Sequence, residues 1–138
     1  MATSEMSDAI RRFLNERRFG VMATINPDGS PQQTIVWYEL QGDEIMLNTA
    51  AGRRKDRNLR RDNRTSMCVE DGYRYVSLAG TAELIDDQSM AQRDIHYLAQ
   101  RYHGSEKAAE QMRDQFSKEH RVTIRIGVQR VVAEGFES

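Results

Sequence analysis

Seven basic residues lie close together between positions 53 and 64 of a 138-residue chain. They are Arg53, Arg54, Lys55, Arg57, Arg60, Arg61 and Arg64. With Asp56 and Asp62 as the two acids, the segment carries a net charge of +5, whereas the formal charge of the whole chain is −1. A cluster this local differs from the broad basic surface of nucleic-acid-binding proteins. We therefore expect no nucleic-acid partner and look for a small anionic ligand.

The basic segment is placed where a strand would pass into a helix. It follows the strand-like "EIMLNT" and the small residues "AAG", and its one large apolar residue is Leu59. A helix N-terminus favours an anion, because its N–H groups are unpaired and its dipole is positive. Arg53 or Arg54, together with Lys55, would add charge-assisted hydrogen bonds worth about 1.5–3 kcal/mol each. The alternative is a solvated arginine stripe along one helix face.

Other reactive side chains lack the spacing that catalysis or metal binding requires. His96, His103 and His120 have no carboxylate or cysteine at ligand spacing, so we predict surface or packing roles and no metal. Cys68 is the single cysteine. Its strand context predicts a buried small side chain, and its isolation fits a reducing cytoplasm. No apolar stretch is long enough for a membrane span, and the N-terminus does not resemble a signal peptide.

Apolar periodicity predicts the elements that position the basic segment. A first helix begins near Ser4 or Ser7 and ends at Gly20, and a meander of three short strands follows, with turns at "NPDG" and "QGD". After the basic helix come the strand "TSMCVE", a "DG" turn and a long strand that Gly80 kinks or bulges. Two helical stretches and the strand "RVTIRIGVQRVVAEG" complete the chain.

This pattern predicts an α+β, mainly β fold, in which residues 1–138 form one domain. We expect a small barrel of six or seven mostly antiparallel strands with peripheral helices. Trp37 and Tyr38 are adjacent in the second strand, so their side chains must point to opposite sides. One of them should pack in the core, and the other is free to line a groove against a flat ring.

Three stretches of the chain resemble the pyridoxamine 5'-phosphate oxidase-like split-barrel superfamily of flavin and deazaflavin proteins. They are "GVMATINPDGSPQQTIVWYE", "IMLNTAAGRRKDRNLRRD" and "YRYVSLAGTAELI". The string R-x-K-x-R-N-L-R-R-D is the most specific of these features. It is most similar to the branch that uses coenzyme F-420, an 8-hydroxy-5-deazaflavin.

The resemblance implies an oxidoreductase, which the single cysteine leads us to expect in the cytoplasm. It would transfer a hydride to or from a small unsaturated or carbonyl-containing molecule, as a homodimer with the cofactor at the subunit interface. Two alternatives stay open: an FMN-dependent oxidoreductase on the same fold, and a non-catalytic cofactor carrier or haem-binding relative with a histidine as axial ligand. Glu39 stands where the flavin-binding oxidases usually have lysine, and "VVAEGFES" lacks their substrate motif. These two departures argue against oxidation of vitamin B6.

The resemblance also implies where a cofactor would bind. Arg53 and Lys55 would hold its phosphate, with Arg54 in place of Arg53 if the register shifts by one residue. The ring and its ribityl chain would lie beside two neighbouring strands, at Gln32, Gln33, Thr34, Val36, Trp37, Leu47, Asn48 and Thr49. Arg57, Arg60 and Arg61 would contact a polyglutamate tail, or else pair with acidic residues of a second subunit. Tyr75 is the expected contact from the partner subunit, and no catalytic residue is assigned.

Overall fold

The computed structural model describes residues 2–3 and 5–136. In this part of the chain the elements are, in order, β1 Ala2–Thr3, α1 Asp8–Asn15, β2 Gly20–Ile25, β3 Pro31–Val36, β4 Glu39–Gln41, β5 Glu44–Ala50, α2 Arg54–Arg61, β6 Arg64–Glu70, β7 Tyr75–Ile85, α3 Gln88–His103, α4 Ser105–Asp114, a 3-10 turn Phe116–Lys118 and β8 Arg121–Glu134. No helix among these residues is long and apolar enough to cross a bilayer.

The strands form one antiparallel sheet in the order β3-β2-β6-β7-β8-β5-β4, with β1 paired to β8. Side chains from both halves of the sheet meet in a single core cluster with α1, so the sheet curves around its core. The predicted α+β, mainly β class, with six or seven antiparallel strands and peripheral helices, is confirmed. The long strands β7 and β8 link the two halves.

The predicted meander is wrong, because "PQQTIVWYEL" does not form one strand. Trp37 and Tyr38 separate β3 from β4, and the Tyr38 side chain turns into the core, where its hydroxyl donates to the Leu14 carbonyl at 2.9 Å. The chain therefore leaves the β2–β3 hairpin. It returns at the other end of the sheet, where β5 pairs with β8 instead of β3.

The first helix begins as predicted and ends earlier. Ser7 is its N-cap, since its hydroxyl accepts from the Ile10 N–H at 3.2 Å, whereas Ser4 lies outside the described residues. The helix stops at Asn15 because Glu16 already has extended backbone angles. Gly20, the predicted end of the helix, is instead the first residue of β2, where a Cβ atom would come within 2.7 Å of the Met67 sulfur.

Cys68 is partly exposed, so the prediction of a buried thiol is wrong. Its neighbours in β6, Met67 and Val69, enter the core, and alternation along the strand places Cys68 on the outer face. Partial burial and the nearby Glu70 carboxylate raise the pKa of this thiol, which keeps it in its less reactive neutral form.

Gly80 forms the predicted bulge in β7. The register against β8 shifts between Ala79 and Gly80, and a Cβ atom on Gly80 would lie 2.0 Å from the carbonyl oxygen of Gly127. The two backbones can approach this closely because position 80 has no side chain. Gly127 itself has no such restriction, since nothing lies within 4 Å of the corresponding Cβ position.

We expect Gly80→Ala to lower the free energy of unfolding by about 1–3 kcal/mol, because the added methyl group forces the central strand pair apart. Gly127→Ala is the matched control and should change the free energy by less than about 0.5 kcal/mol. Urea denaturation followed by circular dichroism measures both values. Equal midpoints for the two variants would contradict the assignment of the close contact to Gly80.

Candidate functional site

The start of α2 brings the first two basic residues to the end of β5. Gly52 has a positive φ of 86°, and its N–H donates to the Asp56 carboxylate at 2.8 Å, which closes the turn before the helix. Arg53 is the N-cap residue, and its side chain makes no capping hydrogen bond. The predicted strand–break–helix arrangement is therefore present, with the Arg53 guanidinium available for other contacts.

A pocket of about 200 Å³ lies beside this turn. Its lining combines cations with flat and aliphatic side chains: Ile35, Val36, Trp37, Asn48, Arg53, Lys55, Ile95, Leu98, Phe116 and Arg121. Such a lining suits a ligand that has an anionic group and an apolar or aromatic ring. The volume is below the roughly 300–1,000 Å³ of typical ligand pockets.

The charged groups at the pocket carry an excess of positive charge. Arg53, Lys55 and Arg121 line it, and in the described part of the chain Glu119 is the one residue whose carboxylate forms an ion pair with any of them. Glu119 lies 2.7 Å from a guanidinium nitrogen of Arg121 and 3.9 Å from one of Arg53. Burial lowers the pKa of the Lys55 ammonium, and the neighbouring Arg53 and Arg121 lower it further. An anion in the pocket would reduce this repulsion.

Asn48 has a fixed orientation between three elements. Its amide oxygen accepts from the Arg121 Nε at 2.9 Å, and its amide nitrogen donates to the Ala91 carbonyl at 2.9 Å and the Thr123 hydroxyl at 3.3 Å. The Thr123 hydroxyl in turn donates to the buried Asp94 carboxylate at 2.7 Å. Every polar atom of the Asn48 amide group therefore has a partner, so Asn48 is preorganised and holds Arg121 beside the pocket.

The aromatic wall of the pocket is also held in place. Trp37 stacks on Tyr102, with ring centroids 5.4 Å apart and an angle of 11° between the planes. The Tyr102 hydroxyl donates to the Arg18 carbonyl at 2.5 Å and accepts from the Tyr38 N–H at 3.1 Å. Tyr38 is fully buried in the core. The prediction that one of Trp37 and Tyr38 packs in the core while the other lines a groove is thus confirmed, although neither residue lies in a strand.

Five residues from the predicted set line the pocket together: Val36, Trp37, Asn48, Arg53 and Lys55. Arg53 lines it and Arg54 is exposed outside it, which favours the first of the two registers considered above. Leu47 and Thr49 are each 1% exposed, and Leu47 belongs to the core cluster. The Thr49 hydroxyl has no hydrogen-bond partner within the described residues.

The remaining predicted residues lie outside the pocket lining. Gln33 is exposed on β3, while Gln32 and Thr34 are partly buried there. Arg57 is exposed on α2. Arg60 pairs with Asp56 at 2.9 Å and Asp86 at 2.8 Å, and Arg61 donates to Asn58 and to the Ile25 carbonyl. Tyr75 begins β7 and is partly buried.

Arg121 is the important residue that sequence patterns did not reveal. It opens an alternating strand in which arginine is unremarkable, and only the pairing of β5 with β8 brings it to the basic turn. Ile95, Leu98 and Phe116 come from the segment between β7 and β8, and they are buried while also lining the pocket. The three histidines do not line it, although the His103 ring packs against the Trp37 ring with centroids 5.1 Å apart and an angle of 71° between the planes.

A family model described as pyridoxamine 5'-phosphate oxidase matches residues 6–132. The chain belongs to this family. The resemblance found in the sequence is therefore confirmed, and the curved antiparallel sheet is the split barrel of the pyridoxamine 5'-phosphate oxidase family. Membership places the chain among proteins related to flavin and deazaflavin oxidoreductases.

Among similar proteins is a Mycobacterium tuberculosis F-420H(2)-dependent biliverdin reductase, 29% identical over 103 residues that cover 72% of this chain and 74% of that protein. A solved structure of a conserved hypothetical protein from Mycobacterium tuberculosis is 38% identical, with a TM-score of 0.79 over 94% of this chain and 84% of the other. The structure of an F-420 reductase, 24% identical over 92% of this chain and 98% of the other, shares the fold with a TM-score of 0.75.

We expect Lys55→Met to raise the free energy of unfolding at pH 7 by about 1 kcal/mol, because it removes a cation that burial desolvates and two arginines repel and keeps the apolar stem. The folded pKa of Lys55 lies below its ordinary 10.5, so its charge opposes folding at neutral pH. The folded protein loses this charge as the pH rises through the folded pKa. The difference in free energy of unfolding between Lys55→Met and wild type should therefore shrink toward pH 10.5.

Urea titrations from pH 7 to pH 10 measure this effect. Lys107→Met, an exposed lysine on α4, is the control and should change the free energy by less than about 0.5 kcal/mol. A Lys55→Met protein less stable than wild type at pH 7 would show that Lys55 contributes favourable contacts that outweigh the repulsion.

Proposed function

We propose that this protein is a coenzyme F-420-dependent reductase that transfers a hydride to or from a small unsaturated or carbonyl-containing molecule. The observation that carries the proposal is the pocket that joins Arg53 and Lys55 to the wall of Trp37. A phosphate group suits the two cations, and a flat ring suits the indole face. The name of the biliverdin reductase relative supports the deazaflavin over other flavin-like cofactors.

The residues present fit such a cofactor. Once bound, the deazaflavin supplies the hydride chemistry, and the protein supplies binding and orientation. Arg53 and Lys55 would hold the phosphate, while Val36 and Trp37 would exclude water from one side of the ring. Asn48 presents no free amide atom, so its part is to hold Arg121 and shape the wall. We assign no proton donor.

FMN is the second candidate cofactor, and one observation favours it. Arg60 and Arg61 already bond to Asp56, Asp86 and the Ile25 carbonyl within their own chain, which leaves Arg57 and Arg54 as the exposed α2 cations most open to a polyglutamate tail. The Arg53 and Lys55 site would serve the FMN phosphate equally well. The assignment of Arg57, Arg60 and Arg61 to the tail remains part of this proposal.

Fluorescence titration of the purified protein with the deazaflavin and with FMN tests this function. We expect tighter deazaflavin binding, weakened at least tenfold by Arg53→Ala and by Lys55→Ala, since each removes a charge-assisted contact of about 1.5–3 kcal/mol. Arg12→Ala removes an exposed cation on α1, outside the pocket lining, and is the control. Tighter FMN binding would move the protein to the second candidate.

The same titration on an Arg60→Ala/Arg61→Ala double variant tests the polyglutamate contacts. If these arginines hold the tail, deazaflavin binding should weaken while FMN binding stays unchanged, because FMN has no such tail. Equal effects on both cofactors would indicate that the two arginines act through the structure of α2. Thermal unfolding of the double variant would then show the loss of the Asp56 and Asp86 pairs.

We further propose a homodimer in which a second copy completes the pocket. Cross-strand pairing aligns Ile35, Val21, Cys68 and Ser77 in one row on the outer face of the sheet. Ile35 is 65% exposed and Val21 is 37% exposed, although Ile35 also lines the pocket. Tyr75, two positions from Ser77, lies on the same face by strand alternation. A second copy on this face would enlarge a pocket that is small for a cofactor and would bring its own Tyr75 close.

We expect Ile35→Glu to weaken self-association at least tenfold, because it places a charge in the apolar row, and to weaken cofactor binding with it. Tyr97→Glu is the control, since Tyr97 is 52% exposed on α3 and lies outside this row. Analytical ultracentrifugation measures the oligomeric state of both variants. A wild-type monomer, or an Ile35→Glu dimer as tight as wild type, would refute this interface.

A further inference from the structure

We propose that Arg121 binds the phosphate of the ligand together with Arg53 and Lys55, and that Glu119 is a built-in counter-ion that limits the affinity of this anion site. The inference rests on the proposed function for the identity of the ligand. It concerns an oxyanion and a residue of the last strand that no sequence motif assigned to the site.

Arg121 has the position and the free donor that such a role requires. It is 3% exposed, yet it lines the pocket with Arg53 and Lys55. Its Nε donates to Asn48 at 2.9 Å and its Nη1 to Glu119 at 2.7 Å, whereas Nη2 has no hydrogen-bond partner in the described part of the chain. A guanidinium held by two partners presents its remaining N–H groups in a fixed direction, which suits an oxyanion.

The charges around this point are not balanced. Three cations meet one carboxylate, and Lys55 has no ion-pair partner within residues 2–3 and 5–136. Like charges held close together destabilise the folded protein, and such an arrangement is typical of binding sites. A phosphate in contact with all three cations would offset the excess positive charge.

Segment 116–121 is fixed against the pocket by two glutamines of α3. The Gln92 amide donates to the carbonyls of Phe116 and Glu119 at 2.9 Å each. The Gln88 side chain accepts from the Arg121 N–H at 2.9 Å and donates to its carbonyl at 2.7 Å. These hydrogen bonds restrain the backbone at Glu119 and Arg121.

Glu119 acts on the site through its charge and leaves the ligand space clear. It contacts Arg121 and Arg53, but it is not part of the pocket lining. Its carboxylate offsets part of the positive charge that the arginines present to a ligand. Glutamine at this position has nearly the same shape, keeps an oxygen that can accept from Arg121 and removes the negative charge, while an NH2 group replaces the second carboxylate oxygen. This substitution separates the electrostatic role of Glu119 from its structural role.

Calorimetric titration of the full-length protein with inorganic pyrophosphate, at constant ionic strength, tests the proposal. We expect Glu119→Gln to bind pyrophosphate roughly fivefold more tightly, because removing one nearby negative charge in a partly hydrated site changes the affinity for an anion by about this factor. Arg121→Gln should bind at least tenfold more weakly, because a charge-assisted contact is lost. Arg12→Gln removes an exposed cation on α1, outside the pocket lining, and should bind like wild type.

Three results would overturn the inference: wild type without measurable pyrophosphate binding, Glu119→Gln with unchanged or weaker binding, or a folded Arg121→Gln protein with wild-type binding. If Arg121→Gln fails to fold, the pyrophosphate affinity of Arg121→Lys tests the contact instead. It keeps the charge but loses the forked geometry, so partial weakening supports the contact and unchanged affinity refutes it.

Cofactor titrations on the same variants distinguish this inference from the proposed function. If pyrophosphate binding responds as expected while neither the deazaflavin nor FMN binds, the anion site is supported and the proposed function is refuted. If a cofactor binds and its affinity does not depend on Arg121 or Glu119, the proposed function is supported and this inference is refuted.

Discussion

The pocket depends on holding three cations close together against their mutual repulsion. Arg53 comes from the turn before α2, Lys55 from its first turn and Arg121 from the start of β8. The fold offsets part of the cost with Glu119 and with the fully bonded amide of Asn48. The remaining positive charge is left facing the pocket, where a phosphate would stabilise it. Stability and ligand binding therefore oppose each other at this site.

The helices inserted between β7 and β8 give the cationic end of the pocket its geometry. Gln88 and Gln92 are one helical turn apart on α3, and both hold the segment that leads into Arg121. Farther along the same helix, Tyr102 supports the Trp37 ring. One helix thus positions both the anion-binding end and the aromatic wall. We infer that the distance between the two ends varies little, as a binding site for a ligand of fixed length requires.

The outer face of the sheet has a different character from the pocket. Its row of Ile35, Val21, Cys68 and Ser77 has small, uncharged side chains, and it reaches the pocket edge through Ile35. A face of this kind is suited to packing against an identical face, since a twofold interface matches the same residues on both subunits. The proposed assembly and the proposed cofactor site therefore share Ile35.

The sequence by itself determined the features that obey local rules. Helix capping limited the start of α1 to Ser4 or Ser7, of which the structure shows Ser7, and the adjacency of Trp37 and Tyr38 predicted that one ring packs in the core while the other lines a groove. The strand–break–helix pattern located the basic turn, and the family resemblance followed from the residues around it. Each of these rests on neighbours within a few positions, where backbone geometry dictates the outcome.

Only the tertiary structure decided how distant residues meet. Asn48 and Arg121 lie 73 positions apart in the chain and are joined because β5 pairs with β8. That pairing follows from the break at Trp37 and Tyr38, where burial of the Tyr38 ring outweighs the strand propensity of the segment. The exposure of Cys68 likewise depends on which strand face meets the core. Local patterns cannot specify these outcomes, because they arise from the competition of all side chains for one interior.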